Sequence, residues 1–192
     1  RSQSSVSLIP LPCEPIWCDG DVQSVKLDWL EDVDAVLHLA SVGVSPQQAS
    51  WSEMVQVNVV GSLRLLQMAA EAGVRRCVFA GTCHEYGKSS NRYDAIPPDA
   101  PLKPLTPYGA SKAAAFQLLR TFAAEKRLEF FYGRIFTAYG EGQFAGNFWP
   151  SLRRAAVSGE DFSMTSGRQI SDFIKVTAVA AHLLQACIRC DI

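Results

Sequence analysis

Short apolar runs of strand length alternate with longer segments of helical period along this chain, and that alternation restricts its fold more than any other feature. Residues 34–39, read Asp-Ala-Val-Leu-His-Leu, form one such run, and residues 77–80 form the next. Between them, over residues 48–73, Val57, Val60, Leu63, Leu65, Leu66 and Ala69 recur mostly three or four apart, which is the repeat of one helix face. Gly73 supplies the stop. Residues 108–126 have helical character again, and residues 130–136 read as a strand. Residues 148–158 and 177–190 close as helices, with short strands expected at Phe162 and over 170–176. Nearer the N-terminus, residues 15–18 are a strand candidate and residues 22–30 a short helix. Strand–helix alternation of this kind implies an α/β fold whose parallel sheet is covered by helices on both faces.

At 192 residues, 48% hydrophobic and 19% charged, the chain is able to bury one sizeable core. Its formal net charge of -1 gives no electrostatic argument for nucleic acid or an anionic membrane as a partner. The longest apolar stretch, residues 176–188, is interrupted by His182 and Gln185 and is too short to span a bilayer. Residues 1–7 are polar and no apolar core of a signal peptide follows them. The six cysteines are irregularly spaced; only Cys187 and Cys190 form a C-x-x-C pair, with no second pair or histidine to complete a metal site. Free thiols and a cytoplasmic location are the expectation, with no metal.

The chemistry concentrates in Tyr108-Gly109-Ala110-Ser111-Lys112. A spacing of four on a helix puts the phenol and the ammonium on one face. A phenol ionises near pH 10, so moving it to about 7 needs roughly 4 kcal/mol, and a neighbouring cation supplies part of that. Such a pair also arises by chance on a half-exposed helix, and its context decides. Thr82 ends the run Val78-Phe79-Ala80-Gly81, at the carboxyl edge of the sheet where open α/β folds bind ligands. Its hydroxyl is placed to hold an oxygen near Tyr108. Between the two lies a segment rich in Gly, Ser, Asn and Pro, residues 87–107, longer than a plain connection needs.

With these residues in view, the chain resembles the extended short-chain dehydrogenase/reductases, the NAD-dependent epimerase/dehydratase group that acts on nucleotide sugars. Gly20-Asp21-Val22 is similar to the element that touches adenine, and Asp34-Ala35-Val36-Leu37-His38-Leu39-Ala40 to the strand beside the dinucleotide. Asn58-Val59-Val60-Gly61-Ser62 matches N-x-x-G-(T/S), with Asn58 near the cofactor. Residues 82–87 fit S-(S/T)-x-x-V-Y-G, with Glu85 where Val is usual. Residues 107–112 fit P-Y-x-x-S-K, and residues 134–143 fit R-x-x-N-x-Y-G-x-G-Q, with Thr137 in place of the Asn.

The resemblance implies a Rossmann-like doubly wound parallel sheet. A dinucleotide-binding sheet of this kind starts with a strand, a glycine-rich turn and a helix, about 30 residues in all. No G-x-G-x-x-G stands in the N-terminal part of this sequence. Residues 1–140 are therefore expected to form a dinucleotide-binding domain truncated at its N-terminal βαβ unit. Residues 141–192 are expected to begin a substrate-binding region that returns to the main sheet. The resemblance makes Thr82, Tyr108 and Lys112 catalytic. It assigns Asp21, Val22, Leu39, Ala40, Asn58, Tyr108, Lys112 and Ile135 to the cofactor, and Cys83, His84 and Asn147 to the substrate. NAD or NADP is the cofactor, with Arg1 tilting the choice toward NADP because a basic residue there accommodates a 2′-phosphate. The partner is a nucleotide sugar, and a homodimer is compatible with the group.

Two departures shape the expected reaction. Relatives that eliminate water carry Thr-Asp-Glu where this chain has Thr82-Cys83-His84, so the acid pair for dehydration is missing. The segments at 81–87, 139–143 and 162–169 look most like reductases of nucleotide-linked 4-keto-6-deoxyhexoses. A 4-epimerase with retained NAD and a non-catalytic relative are the alternatives. The second departure is Ser171, which stands where the group carries an arginine that neutralises pyrophosphate, with Arg168 three residues upstream.

Overall fold

Alternating apolar runs become a three-stranded parallel sheet in the computed structural model, which describes residues 11–44, 48–168 and 170–189. In chain order the elements are β1 (Ala35–His38), α1 (Trp51–Met54), α2 (Ser62–Glu71), β2 (Arg76–Thr82), α3 (Pro107–Lys126), β3 (Glu129–Ile135), β4 (Thr137–Tyr139), α4 (Phe148–Ser158), β5 (Phe173–Lys175) and α5 (Val176–Ile188). The sheet order is β1-β2-β3, with Val36 opposite Cys77 and Thr82 opposite Ile135. A second, two-stranded parallel sheet joins β4 to β5.

Side chains alternate between the two faces of each strand. Val36, Cys77, Phe79, Phe130 and Tyr132 point toward α2 and α3, where they pack with Leu65, Leu66, Ala69, Ala115, Leu119 and Ala123. Leu37, Val78, Phe131 and Ile135 point the other way, onto Val179, Leu183 and Ala186 of α5. Helices thus cover both faces, the doubly wound arrangement. Each fully buried Leu or Phe contributes about 1.5–3 kcal/mol, so these two layers carry most of the fold.

Local signals set the helix ends. Thr106 caps α3 by accepting from the Gly109 amide at 3.1 Å, and Pro107 occupies the first turn, where its missing N–H costs nothing. The α3 chain stops at Arg127, which turns left-handed at φ 56°. α1 runs into α2 through a wide π-type segment, Val55–Gly61. Gly73 follows α2 at φ 83°, as the stop requires.

Several expected elements differ. Residues 15–18 form no strand: Ile16 is 98% exposed, and a ladder needs a neighbour that none of the described strands supplies. The helix expected over 22–30 contracts to a 3-10 turn, Leu27–Leu30. Asp21 closes a turn ahead of it, its carboxylate accepting from the amides of Gln23 (2.8 Å) and Ser24 (2.9 Å). Phe162 lies outside any strand, and the pairing expected over 170–176 is limited to β5. β4 was not anticipated, since three residues carry too little periodicity to be seen. No described helix is long and apolar enough to cross a membrane.

Candidate active site

The carboxyl ends of all three main strands open onto one cavity of about 720 Å³. Leu39 follows β1, Thr82 ends β2, Ile135 ends β3, and Tyr108 with Lys112 project from the first turns of α3; all five line it. The far wall comes from Asn147, Phe148 and Trp149 at the start of α4 and from α5. Open α/β sheets bind ligands at this edge.

Thr82 terminates β2 and begins a tight turn, Cys83–Glu85. Its hydroxyl accepts from the His84 amide at 3.3 Å, while its own amide donates to Glu85 Oε1 at 2.8 Å. Gly109 lets α3 press against this turn, because a Cβ there would sit 2.5 Å from the His84 carbonyl oxygen. That close approach sets the Tyr108 and His84 rings 6.1 Å apart, edge to face.

Burial pushes the Tyr108 phenol up, the Ser41 and Thr82 hydroxyls pull it back, and the Glu85 and Cys83 side chains add to the rise. The net shift is upward, because desolvation outweighs the two hydroxyls. Lys112 is itself buried, which lowers its ammonium, and Glu85 opposes that shift. The result is a protonated phenol and a buried ammonium on one cavity, an arrangement suited to giving a proton to a carbonyl oxygen. Burial also raises the Cys83 thiol, so it stays protonated at neutral pH.

Other expected site residues are placed as follows. Leu39 and Ala40 are exposed just past β1. Asp21 is exposed in its turn, and Val22 packs against the core beneath it. Cys83 and His84 line the cavity beside Thr82. Asn147 caps α4 with its backbone carbonyl, which accepts from Ser151 at 3.0 Å, and its side chain makes no capping bond. Asn58, expected near the cofactor, is fully buried in the π-type segment. Its amide accepts from Val42 N at 2.9 Å and donates to Val42 O at 3.0 Å and Ser111 Oγ at 2.9 Å. It therefore acts on the site by tying the 41–44 wall to α3. Arg1 and Cys190 lie outside the described residues.

Sequence reasoning missed Ser41, Gln143 and the partners of Glu85. Gln143 donates to Ala138 O at 3.1 Å and keeps its buried Oε1 unpartnered at the cavity wall. Glu85 was visible only as a departure from a motif. A nicotinamide cofactor fits the residues present, because Tyr108, Lys112, Ile135 and Leu39 converge on one cavity. That cavity's lining residues include an ammonium and no carboxylate to repel phosphate or ribose oxygens.

Known proteins resemble this chain in sequence and in fold. A UDP-glucose 4-epimerase of Azospirillum brasilense is 31% identical over 189 residues, spanning 86% of this chain and 54% of its own. A dTDP-6-deoxy-L-talose 4-dehydrogenase (NAD(+)) of Aggregatibacter actinomycetemcomitans is 26% identical, spanning 85% and 61%. The solved structure of MoeE5 in complex with UDP-glucose and NAD superposes with a TM-score of 0.76 at 35% identity, over 91% of this chain and 59% of that one. This chain thus spans a little over half the length of these relatives. The model of the NAD dependent epimerase/dehydratase family matches residues 5–191, and the chain belongs to that family.

Proposed function

We propose that this chain contributes Thr82, Tyr108 and Lys112 to an NAD(P)-dependent oxidoreductase that reduces a 4-keto-6-deoxyhexose carried on a nucleotide. The supporting observation is the convergence of those three side chains on one cavity at the carboxyl edge of the sheet. A bound nicotinamide supplies the hydride. Tyr108 gives its phenolic proton to the oxygen formed at C4, and burial keeps that proton in place until it is needed. Thr82 donates its hydroxyl proton to the same oxygen and holds the carbonyl in line. Lys112 binds ribose hydroxyls through its ammonium. Cys83 and His84 contact the sugar, and Asn147, its side chain free of capping duty, reaches the phosphates. Cys83 and His84 also replace the acid pair that dehydration requires, which argues for simple redox chemistry.

A second reading is 4-epimerisation with retained NAD, favoured by the 31% identity to a UDP-glucose 4-epimerase. The two readings differ in cofactor balance. Reduction consumes one equivalent of NAD(P)H per sugar, seen as absorbance loss at about 340 nm. NADPH is the preferred donor in this reading, with NADH as the comparison. Inversion of C4 on UDP-glucose without net cofactor consumption would establish the epimerase instead.

A further inference from the structure

Glu85 is fully buried, and the reaction outlined above makes no use of it. Its carboxylate is nonetheless completely engaged. Oε1 accepts from the Thr82 amide at 2.8 Å and from the Tyr132 hydroxyl at 3.0 Å. Oε2 accepts from Arg134 Nε at 2.8 Å, in an ion pair whose side chains are 10% and 0% exposed. The Tyr132 hydroxyl also lies 3.2 Å from the Lys112 carbonyl oxygen, so its single proton is shared between α3 and Glu85. Arg134 stacks over the Phe116 ring of α3, 4.2 Å from its centroid, and donates to the Pro98 carbonyl at 3.1 Å.

A buried ion pair is a poor device for stability, because desolvating both charges cancels most of their attraction. Its geometry here is better explained by what it connects. One carboxylate oxygen joins the last residue of β2, which carries the Thr82 hydroxyl, to β3 and, through Tyr132, to the turn of α3 that carries Lys112. The chain makes room for this at Gly81, where a Cβ would lie 2.2 Å from Tyr132 Cε1 and 2.8 Å from Glu85 Oε1. We propose that Glu85 is a positioning residue for the reaction, its Oε1 clamping Thr82 and the Lys112 turn in register while Arg134 balances the carboxylate's charge. This rests on the assignment of Thr82, Tyr108 and Lys112 as the reacting groups.

The proposal separates the acceptor oxygen from the charge pair, and two double variants of the protein carrying this chain test that separation. Glu85→Gln with Arg134→Met keeps an oxygen at Oε1 and leaves no unpaired charge. Glu85→Leu with Arg134→Met removes the oxygen as well, at similar volume. Turnover is followed with NADPH and a 4-keto-6-deoxyhexose nucleotide and, separately, by C4 inversion of UDP-glucose. The Gln variant is expected to hold kcat within about threefold of the parent. The Leu variant is expected to lose about tenfold or more in kcat, with KM for the sugar nucleotide within about threefold. Equal kcat in the Leu variant and the parent overturns the clamp. So does a loss that is alike in both variants and follows their melting temperatures, which would mark the cluster as purely structural. Tyr108→Phe run alongside separates the two levels of the argument. If it leaves turnover of both probes unchanged, the reacting trio is wrong; if it abolishes turnover while the Leu variant does not differ from the parent, only the role of Glu85 fails.

Discussion

The acid role proposed for Tyr108 requires that its phenol keep its proton, and desolvation in the cavity favours that state. Removing the hydroxyl alone leaves a ring of the same shape against His84. Tyr108→Phe should therefore lower turnover by about 10²–10⁴-fold, the usual contribution of a positioned acid, with an unchanged circular dichroism spectrum. A loss below tenfold would assign the proton to another group. His38 offers a test at the same scale, concerning stability. Burial takes its imidazole from 6.5 down to about 4, with the Lys112 ammonium adding to the shift. It lies 2.9 Å from Ser62 Oγ and packs edge-on against Phe79. A depressed folded value means that the unfolded chain binds the proton first as pH falls. The neutral histidine's full contribution is present above pH 6.5 and is lost progressively down to about pH 4. The loss amounts to roughly 3 kcal/mol. Urea midpoints measured across that window should fall more steeply in the parent than in His38→Gln, which has no imidazole to charge; parallel slopes would refute the assignment.

The π-type segment between α1 and α2 is the element whose contribution is least expected from its composition. Wide helical turns of this kind tend to sit at functional sites, and here one aims the Asn58 amide at the backbone of Val42. Asn58→Ala leaves the Val42 N–H and C=O unpaired next to the cavity and should cost roughly 2–4 kcal/mol, read as a lowered denaturation midpoint. A midpoint within experimental error of the parent would mean that the 41–44 wall is held by other contacts. In the sequence this stretch was legible as a helix, through the spacing of its valines and leucines, but its widened turns were not, because hydrophobic period does not distinguish 3.6 from slightly wider winding. The same limit explains the other gaps. β1, β2, β3, α3 and α4 were readable from their apolar runs and helical period. β4 is three residues long, and its pairing with β5 joins segments more than thirty positions apart. At the site, the Tyr108–Lys112 pair was readable from local spacing. The Glu85–Arg134–Tyr132 cluster was not, since it exists only where β2 and β3 lie side by side.

Taken whole, the cavity is assembled from pieces that have no sequence proximity: the loop after β1, the end of β2, the start of α3, the end of β3, the start of α4 and the inner face of α5. A ligand that fills it touches both sheets and three helices, so its binding free energy opposes unfolding of the entire domain. A nucleotide sugar at a hundred times its Kd adds about 2.7 kcal/mol to the folded state by mass action. For a chain of this size each kcal/mol moves the melting temperature by about 2–4 °C, which gives an expected rise of roughly 5–10 °C. The measurement is a thermal melt of the protein carrying this chain with UDP-glucose, with and without NAD, and with free glucose as the control. Free glucose lacks the phosphates that Asn147 is proposed to contact and should leave the melting temperature unchanged. Asn147→Ala should cut the shift produced by UDP-glucose, because its side chain lines the cavity without serving the α4 cap. A full shift in that variant would place the diphosphate elsewhere. No shift at saturating UDP-glucose would mean that this cavity does not take a nucleotide sugar at all.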